Sequence, residues 1–283
     1  VISPRAGEAT FLLLQTGNVN ILIDPVISYQ ADNEINRFTY DDLPDCIDYV
    51  LLTHNHQDHV SLETLIQLRH KIETVVVPMN NKGSLLDPSL KLMLESLGFN
   101  SVVELSSFDK IALSEGEVIA LPFLGEHADL NIRSKNIYYL RLLDHTFLFA
   151  ADANNIDSSL FKNIKNMLNK FDYLFIGIEC KGAPLNWLYG PMMQTTLTRE
   201  QNQSRRLSGS DADKAWELVQ ILQPKSAYVY SMGQEPWLNY IMALNHDDKA
   251  SPQIIESDKF VLKCKDSGIN SERLYLMKEW NFG

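Results

Sequence analysis

Short apolar runs, each closed by turn residues, alternate along this chain with stretches of helical spacing. Thr10–Gln15 and Val19–Ile23 read as strands around a Thr16-Gly17-Asn18 hairpin turn. Asp48–Thr53 predicts a further strand, which stops abruptly at His54. Ser61 then offers an N-cap for a helix running to about Lys71, with Leu62, Leu65, Ile66 and Leu68 as its apolar positions. Thr74–Val77 reads as a buried strand, and Pro88–Leu97 as a helix closed by Gly98 in the left-handed conformation. Strands are expected at Val102–Leu105, Asp109–Leu113 and Val118–Phe123, then at Ile137–Leu142 and Phe147–Ala150 around the turn Leu143–Thr146. Beyond Asp152 the alternation repeats. Helices are expected near Ser158–Asn169, Asp211–Leu222, Pro236–Leu244 and Ser257–Lys265, with strands at Tyr173–Ile178, Ala227–Tyr230 and Arg273–Met277. Two strand-rich halves, each followed by helices and joined by no Pro/Gly/Ser-rich linker, predict an α/β (α+β) protein. Its expected architecture is an αββα sandwich, two mixed β-sheets face to face with helices outside, in a single domain spanning 1–283.

Composition narrows the function. With 283 residues, 45% of them hydrophobic and 22% charged, the chain can bury an ample core. Acidic residues outnumber basic ones by 36 to 25, for a net charge of −11. That balance disfavours nucleic acid and anionic membranes as partners. No apolar run approaches the ~18 residues of a membrane span. Three scattered cysteines, Cys46, Cys180 and Cys264, fit a reducing, cytoplasmic compartment better than a disulfide framework. The absence of a G-x-S-x-G elbow, a P-loop and a dinucleotide fingerprint excludes serine hydrolase, NTPase and built-in flavin chemistry.

The chemistry concentrates in Thr53-His54-Asn55-His56-Gln57-Asp58-His59, directly behind an apolar strand. His54 and His56 lie two apart, so on an extended loop they face one side and can grip one ion. Asp58 and His59 can turn back to hold a second, ~3.5–4 Å away in two-metal sites generally.

This segment is the H-x-H-x-D-H signature of the metallo-β-lactamase superfamily, which the chain resembles from about Phe11 to Tyr275. Ile21-Leu22-Ile23-Asp24-Pro25 resembles the first motif of that family, implying that Asp24 orients the metal-binding loop from behind. Phe147-Leu148-Phe149-Ala150-Ala151-Asp152 resembles the strand that ends in a carboxylate bridging both metals. Two departures from the pattern matter. Where the family places a histidine after a glycine, this chain has Gly125-Glu126-His127, making Glu126 the favoured ligand and His127 the alternative. Met232 stands where the last histidine of the family belongs, and His246 is the only later histidine. The resulting donors, His54, His56 and His59 with Asp58, Glu126 and Asp152, are three nitrogens and three anionic oxygens. Hard anionic donors favour iron or manganese over zinc, and a lost ligand opens positions at which dioxygen can bind.

Within the superfamily, three stretches resemble the diiron β-hydroxylases of chloramphenicol and nonribosomal peptide biosynthesis. They are Gly125–Leu130, Arg206–Asp213 and Ser231–Trp237. This resemblance implies a diiron monooxygenase of antibiotic biosynthesis. Its substrate would be an amino acid tethered to the carrier domain of a nonribosomal peptide synthetase, hydroxylated at the β-carbon. It implies two Fe ions, O2 as co-substrate, electrons from a separate reductase, and Glu126 and Asp152 as the catalytic ligands. It also implies a preceding N-terminal domain, through which the protein would form a homodimer. The long connection Lys181–Gly209 carries Trp187 and Tyr189, which with Met232 are candidates for the substrate pocket. Arg205 and Arg206 are candidates for a pantetheine phosphate, or a solvated pair. Two rival readings stay open. One is a zinc or manganese hydrolase acting on lactones, thioesters or phosphodiesters; the other is a carrier-docking domain that keeps its metal for stability.

Overall fold

The computed structural model describes residues 3–6, 11–27, 38–56, 58–85, 87–127, 133–178, 181–184, 198, 206–235 and 251–280. The chain divides into two compact units. The first comprises Val1–Pro122, Asn131–Tyr138 and Tyr275–Gly283; the second comprises Phe123–Leu130 and Tyr139–Leu274.

The first unit is built on a seven-stranded mixed sheet. Strands β1 (Ser3–Ala6), β2 (Leu12–Gln15) and β3 (Asn20–Ile23) form an antiparallel meander. Strands β4 (Ile47–Leu51), β5 (Ile72–Pro78) and β6 (Val102–Leu105) then add parallel to β3. The short β17 (Lys278–Glu279) pairs antiparallel with β1 at the opposite edge. Parallel strands covered on both faces need uninterrupted apolar sequence. Ile21–Ile23, Val50–Leu52 and Val75–Val77 supply it, and all nine side chains are fully buried. Helices α1 (Leu62–Leu68) and α2 (Leu90–Ser96) connect β4 to β5 and β5 to β6. Each begins where the sequence places a serine: Ser61 Oγ accepts from Thr64 N, and Ser89 Oγ from Leu92 N. Gly98, at φ +86, closes α2 as expected. Leu65, Leu68, Leu90 and Leu94 pack from these helices into one core with Phe11, Leu22, Val50 and Val75. A hairpin of β7 (Lys110–Leu113) and β8 (Gly116–Pro122) also belongs to this unit.

The second unit carries four parallel strands, in the order β16 (Asn270–Arg273), β15 (Ser226–Val229), β12 (Tyr173–Ile176) and β11 (His145–Phe149). Next to β11 lies β10 (Asn136–Leu142), which enters this unit at Tyr139. Aromatic rings stack across neighbouring strands: Phe147 on Tyr173 at 5.0 Å and Phe149 on Phe175 at 5.1 Å. Helices α3 (Ser158–Leu168), α4 (Ala212–Leu222) and α5 (Pro252–Asp266) complete the layer. Asp157 and Asp211 cap the first two, and α4 buries Ala212, Ala215, Leu218, Val219 and Leu222 along one stripe. A small antiparallel sheet joins β9 (Glu126–His127), β14 (Arg206–Ser208) and β13 (Lys181–Pro184). None of the described helices is long and apolar enough to cross a membrane.

Two sequence expectations are corrected. The last helix begins at Pro252, where proline takes the first helical position and Ser251 precedes it, rather than near Ser257. Its buried face includes Gln253 and Ser257, polar residues that hide the apolar period. The expected strand Arg273–Met277 is instead β16, ending at Arg273, followed by β17; Leu276, at φ 58, breaks the extended run between them. The helix expected at Pro236–Leu244 lies outside the described residues.

Candidate metal centre

In the first unit, β3 and β4 are parallel neighbours, so their carboxyl ends share one edge of the sheet. This is the edge at which open α/β sheets place their ligands. Asp24 follows β3 directly, in the left-handed region at φ 42, and its amide donates to Leu51 O at 3.0 Å. The bend turns its carboxylate onto the loop after β4. Oδ1 accepts from Thr53 N at 2.7 Å; Oδ2 accepts from the Thr53 hydroxyl at 2.6 Å and pairs with His59 Nδ1 at 2.8 Å. Burial pushes the Asp24 carboxyl up, while His59 and Thr53 pull it back.

Counting hydrogens then assigns the tautomers. Thr53 has one hydroxyl proton and gives it to Asp24, so the 2.9 Å contact between Thr53 Oγ1 and His54 Nδ1 must be donated by the imidazole. His59 Nδ1 likewise donates to Asp24. Both rings therefore carry their lone pair at Nε2, the atom that a cation would take. The rings crowd together, with His54 centred 4.5 Å from His56 and 4.2 Å from His59. His59 Nε2 lies 3.6 Å from Asp58 Oδ2. All four side chains are buried. Three clustered imidazoles and a carboxylate, taken out of water with their donor atoms converging, are costly unless a cation joins them. The donor set thus fits a metal, and its mixture of nitrogen and oxygen suits a borderline or hard divalent ion. From the other side the loop is held by an antiparallel bridge between His54 and Lys135 and by Asn136 N donating to Thr53 O at 2.9 Å.

In the second unit, Asp152 sits just past β11 and is buried. Ala151 before it takes φ 45, donates its amide to Tyr230 Oη at 3.1 Å, and accepts Gly177 N at 2.8 Å. A Cβ on Gly177 would lie 3.1 Å from both Ala151 O and Asp152 Oδ1, so glycine permits this close approach. Asn154 N donates to Leu124 O at 2.7 Å, tying the end of β11 to the segment that enters β9 through Gly125 at φ 91. There Glu126 pairs with Ser208 and His127 with Leu207. Met232 is buried, following Ser231 in the left-handed region. Trp187, Tyr189, Arg205, Cys180 and His246 lie outside the described residues. Cys264 is buried, its thiol pushed up to about 11 chiefly by that burial. Sequence reasoning missed Thr53, Gly177 and Tyr230. The first is signalled only by preceding the histidines, and the other two only by following buried strands.

A loop of clustered histidines behind a parallel strand, held by a buried aspartate, is the arrangement of one large class of metalloproteins. Residues 19–229 match the family model of the β-lactamase superfamily domain, and the chain belongs to that superfamily. Among characterised proteins it is similar to the 4-amino-L-phenylalanyl-[CmlP-peptidyl-carrier-protein] 3-hydroxylase of Streptomyces venezuelae. The two are 44% identical over 259 residues, which make up 91% of this chain and 48% of that protein. The crystal structure of CmlA, a diiron β-hydroxylase from Streptomyces venezuelae, superposes with a TM-score of 0.90 at 40% identity. It covers 99% of this chain and 54% of the other. This likeness bears out the expected metallo-β-lactamase fold. The chain spans about half the length of these relatives. Igni18, a metallo hydrolase from Ignicoccus hospitalis, shares the fold with a TM-score of 0.64 at 13% identity, covering 100% of this chain and 99% of that one.

Proposed function

We propose that this chain is the catalytic domain of a diiron monooxygenase that hydroxylates the β-carbon of an amino acid carried on a peptidyl carrier protein. The observation that carries the reading is the 40% identity, over 99% of this chain, to a diiron β-hydroxylase. The two compact units work in this reading as one domain, since the family match runs through residues of both. His54, His56, Asp58, His59, Glu126 and Asp152 would hold the two irons, with Glu126 preferred to His127 because it directly follows Gly125. When bound, the iron pair supplies the redox chemistry that activates O2, with electrons from a separate reductase.

The protein's own residues prepare that site. Asp24 and Thr53 keep His54 and His59 in the tautomer that exposes Nε2. Gly177 and Tyr230 set the bend that aims Asp152. Met232, in place of a further histidine, leaves the ligand count low; Trp187 and Tyr189 are assigned to the pocket for the amino-acid side chain. The partners are a carrier domain and a reductase in the cytoplasm, with a preceding domain as the place of dimer contacts.

The test is the metal content and visible spectrum of protein purified with and without air, followed by an assay on carrier-loaded amino acids. About two irons per chain, a bridged diferric absorption and a hydroxylated product are expected. Two zincs, no colour and hydrolysis of esters without reductant would return the chain to the hydrolases of its superfamily.

A further inference from the structure

A second feature of the first unit lies beside the histidine loop. Strand β5 is the parallel neighbour of β4, so the loop that leaves it after Pro78 starts from the same sheet edge as His54–His59. Between this loop and the segment before β10 is a cavity of ≈ 450 Å³, within the range of small-ligand sites. Asn80, Asn81, Ser84, Asp87, Arg133 and Ser134 give it its polar lining.

The walls are built rather than incidental. Asp87 is 8% exposed, and its Oδ2 accepts from Arg133 N and Ser134 N at 3.0 Å each while Oδ1 accepts from Ser134 Oγ at 2.7 Å. Its carbonyl accepts from Asn80 Nδ2 at 3.1 Å and Ser84 N at 2.9 Å. Asn81, Lys82 and Gly83 run consecutively in the left-handed region. A Cβ on Gly83 would lie 2.6 Å from Ser89 N, so only glycine closes the turn. With the Asp87 carboxylate satisfied by three donors, the Arg133 guanidinium is the other charged group among the described residues of the lining. The next residue but one after Arg133 is Lys135, whose backbone bridges His54.

A cavity whose described lining offers amides, hydroxyls and one cationic side chain, on the segment that bridges His54 through Lys135, suits a ligand bearing amides and negative charge. We propose that it receives the 4′-phosphopantetheine arm of the carrier protein, with Arg133 facing the phosphate and Asn80 and Asn81 facing the amides. This rests on the reading that the substrate is carrier-tethered. It assigns the arm to a different place from the candidate pair Arg205 and Arg206.

The test uses the iron-loaded protein, 4′-phosphopantetheine alone, and a carrier protein with and without its arm. The wild type should bind the armed carrier at least tenfold more tightly than the bare one. Arg133→Gln should abolish most of that preference, weaken 4′-phosphopantetheine similarly, and raise KM for the tethered amino acid with kcat and iron content unchanged. Arg141→Gln, at an exposed arginine of the other unit, controls for net charge and should behave as wild type. A preference that survives Arg133→Gln in an enzyme that hydroxylates overturns the pocket assignment alone. A wild type that hydroxylates nothing and binds both carrier forms equally overturns the carrier-tethered reading as well.

Discussion

Asp24 is the residue whose replacement tests the tautomer argument most directly. Alanine would strand two buried donors, Thr53 N and His59 Nδ1, at a site with no solvent exposure, while the Thr53 hydroxyl could turn to His54 Nδ1. At about 1–3 kcal/mol for each orphaned buried donor, Asp24→Ala costs about 2–6 kcal/mol. That is a large part of the ~5–15 kcal/mol by which a domain of this kind is stable, so the variant should express poorly. Asp24→Asn is the informative change. One oxygen can still accept from Thr53 N, which turns the new NH2 toward Thr53 Oγ1. The hydroxyl then accepts instead of donating, and its proton goes to His54 Nδ1. That flips His54 to the tautomer whose Nε2 is protonated and cannot bind a cation. The fold should survive at a cost of about 1–3 kcal/mol, while metal affinity falls about 10–100-fold. Chelator competition for iron, alongside urea unfolding of the metal-free protein, separates the two effects. Asp24→Asn protein that binds iron as tightly as wild type would refute the assignment of the Asp24–Thr53–His54 relay.

Gly177→Ala forces Ala151 O and Asp152 Oδ1 to give by a few tenths of an ångström; about tenfold weaker metal binding is expected by chelator competition, and unchanged affinity would show that Asp152 tolerates the shift. Tyr230→Phe leaves the buried Ala151 N–H without its acceptor, so thermal or urea unfolding should report a loss of about 1–3 kcal/mol. Burial alone would raise the Asp172 carboxyl, but hydrogen bonds from Lys225, Lys170 and Thr146 outweigh it and hold the group below its usual range. A depressed carboxyl stabilises the fold above the unfolded-state value of about 3.9, and that stability is lost as pH falls through the folded value. Asp172→Asn should therefore be less stable than wild type at pH 7, by about 1–3 kcal/mol from the Thr146 donors, its exposed lysines adding little. The gap should close in urea titrations below about pH 4 if the folded carboxylate is the cause; a gap that is constant with pH contradicts it.

The elements that positioned the site were legible along the chain because each is announced locally. Ser61 caps its helix where the sequence puts it, Ser89 and Asp211 cap helices expected within a residue or two of them, and Val102–Leu105 is a strand at those residues. The candidate metal loop was legible for the same reason: its histidines and aspartate fall within six residues, and a parallel strand that must end somewhere delivers them to one edge. Asp24 could be singled out since it too follows an apolar strand at once. The supporting contacts could not be read that way. Tyr230 meets Ala151 across 79 residues, Asp24 meets Thr53 across 29, and Asp87 meets Ser134 across 47. Which strand ends become neighbours is decided by the order and register of parallel pairing, and no local period encodes either. The same limit misplaced the final strand, where a left-handed Leu276 splits one apparent run between two sheets. Sequence alone thus determined the candidate donors and the order in which the elements carry them, because both are properties of neighbouring residues. Tertiary structure decided the tautomers, the close approach at Gly177 and the cavity beside Arg133, because these depend on hydrogen bonds and contacts that exist only once distant strand ends share an edge.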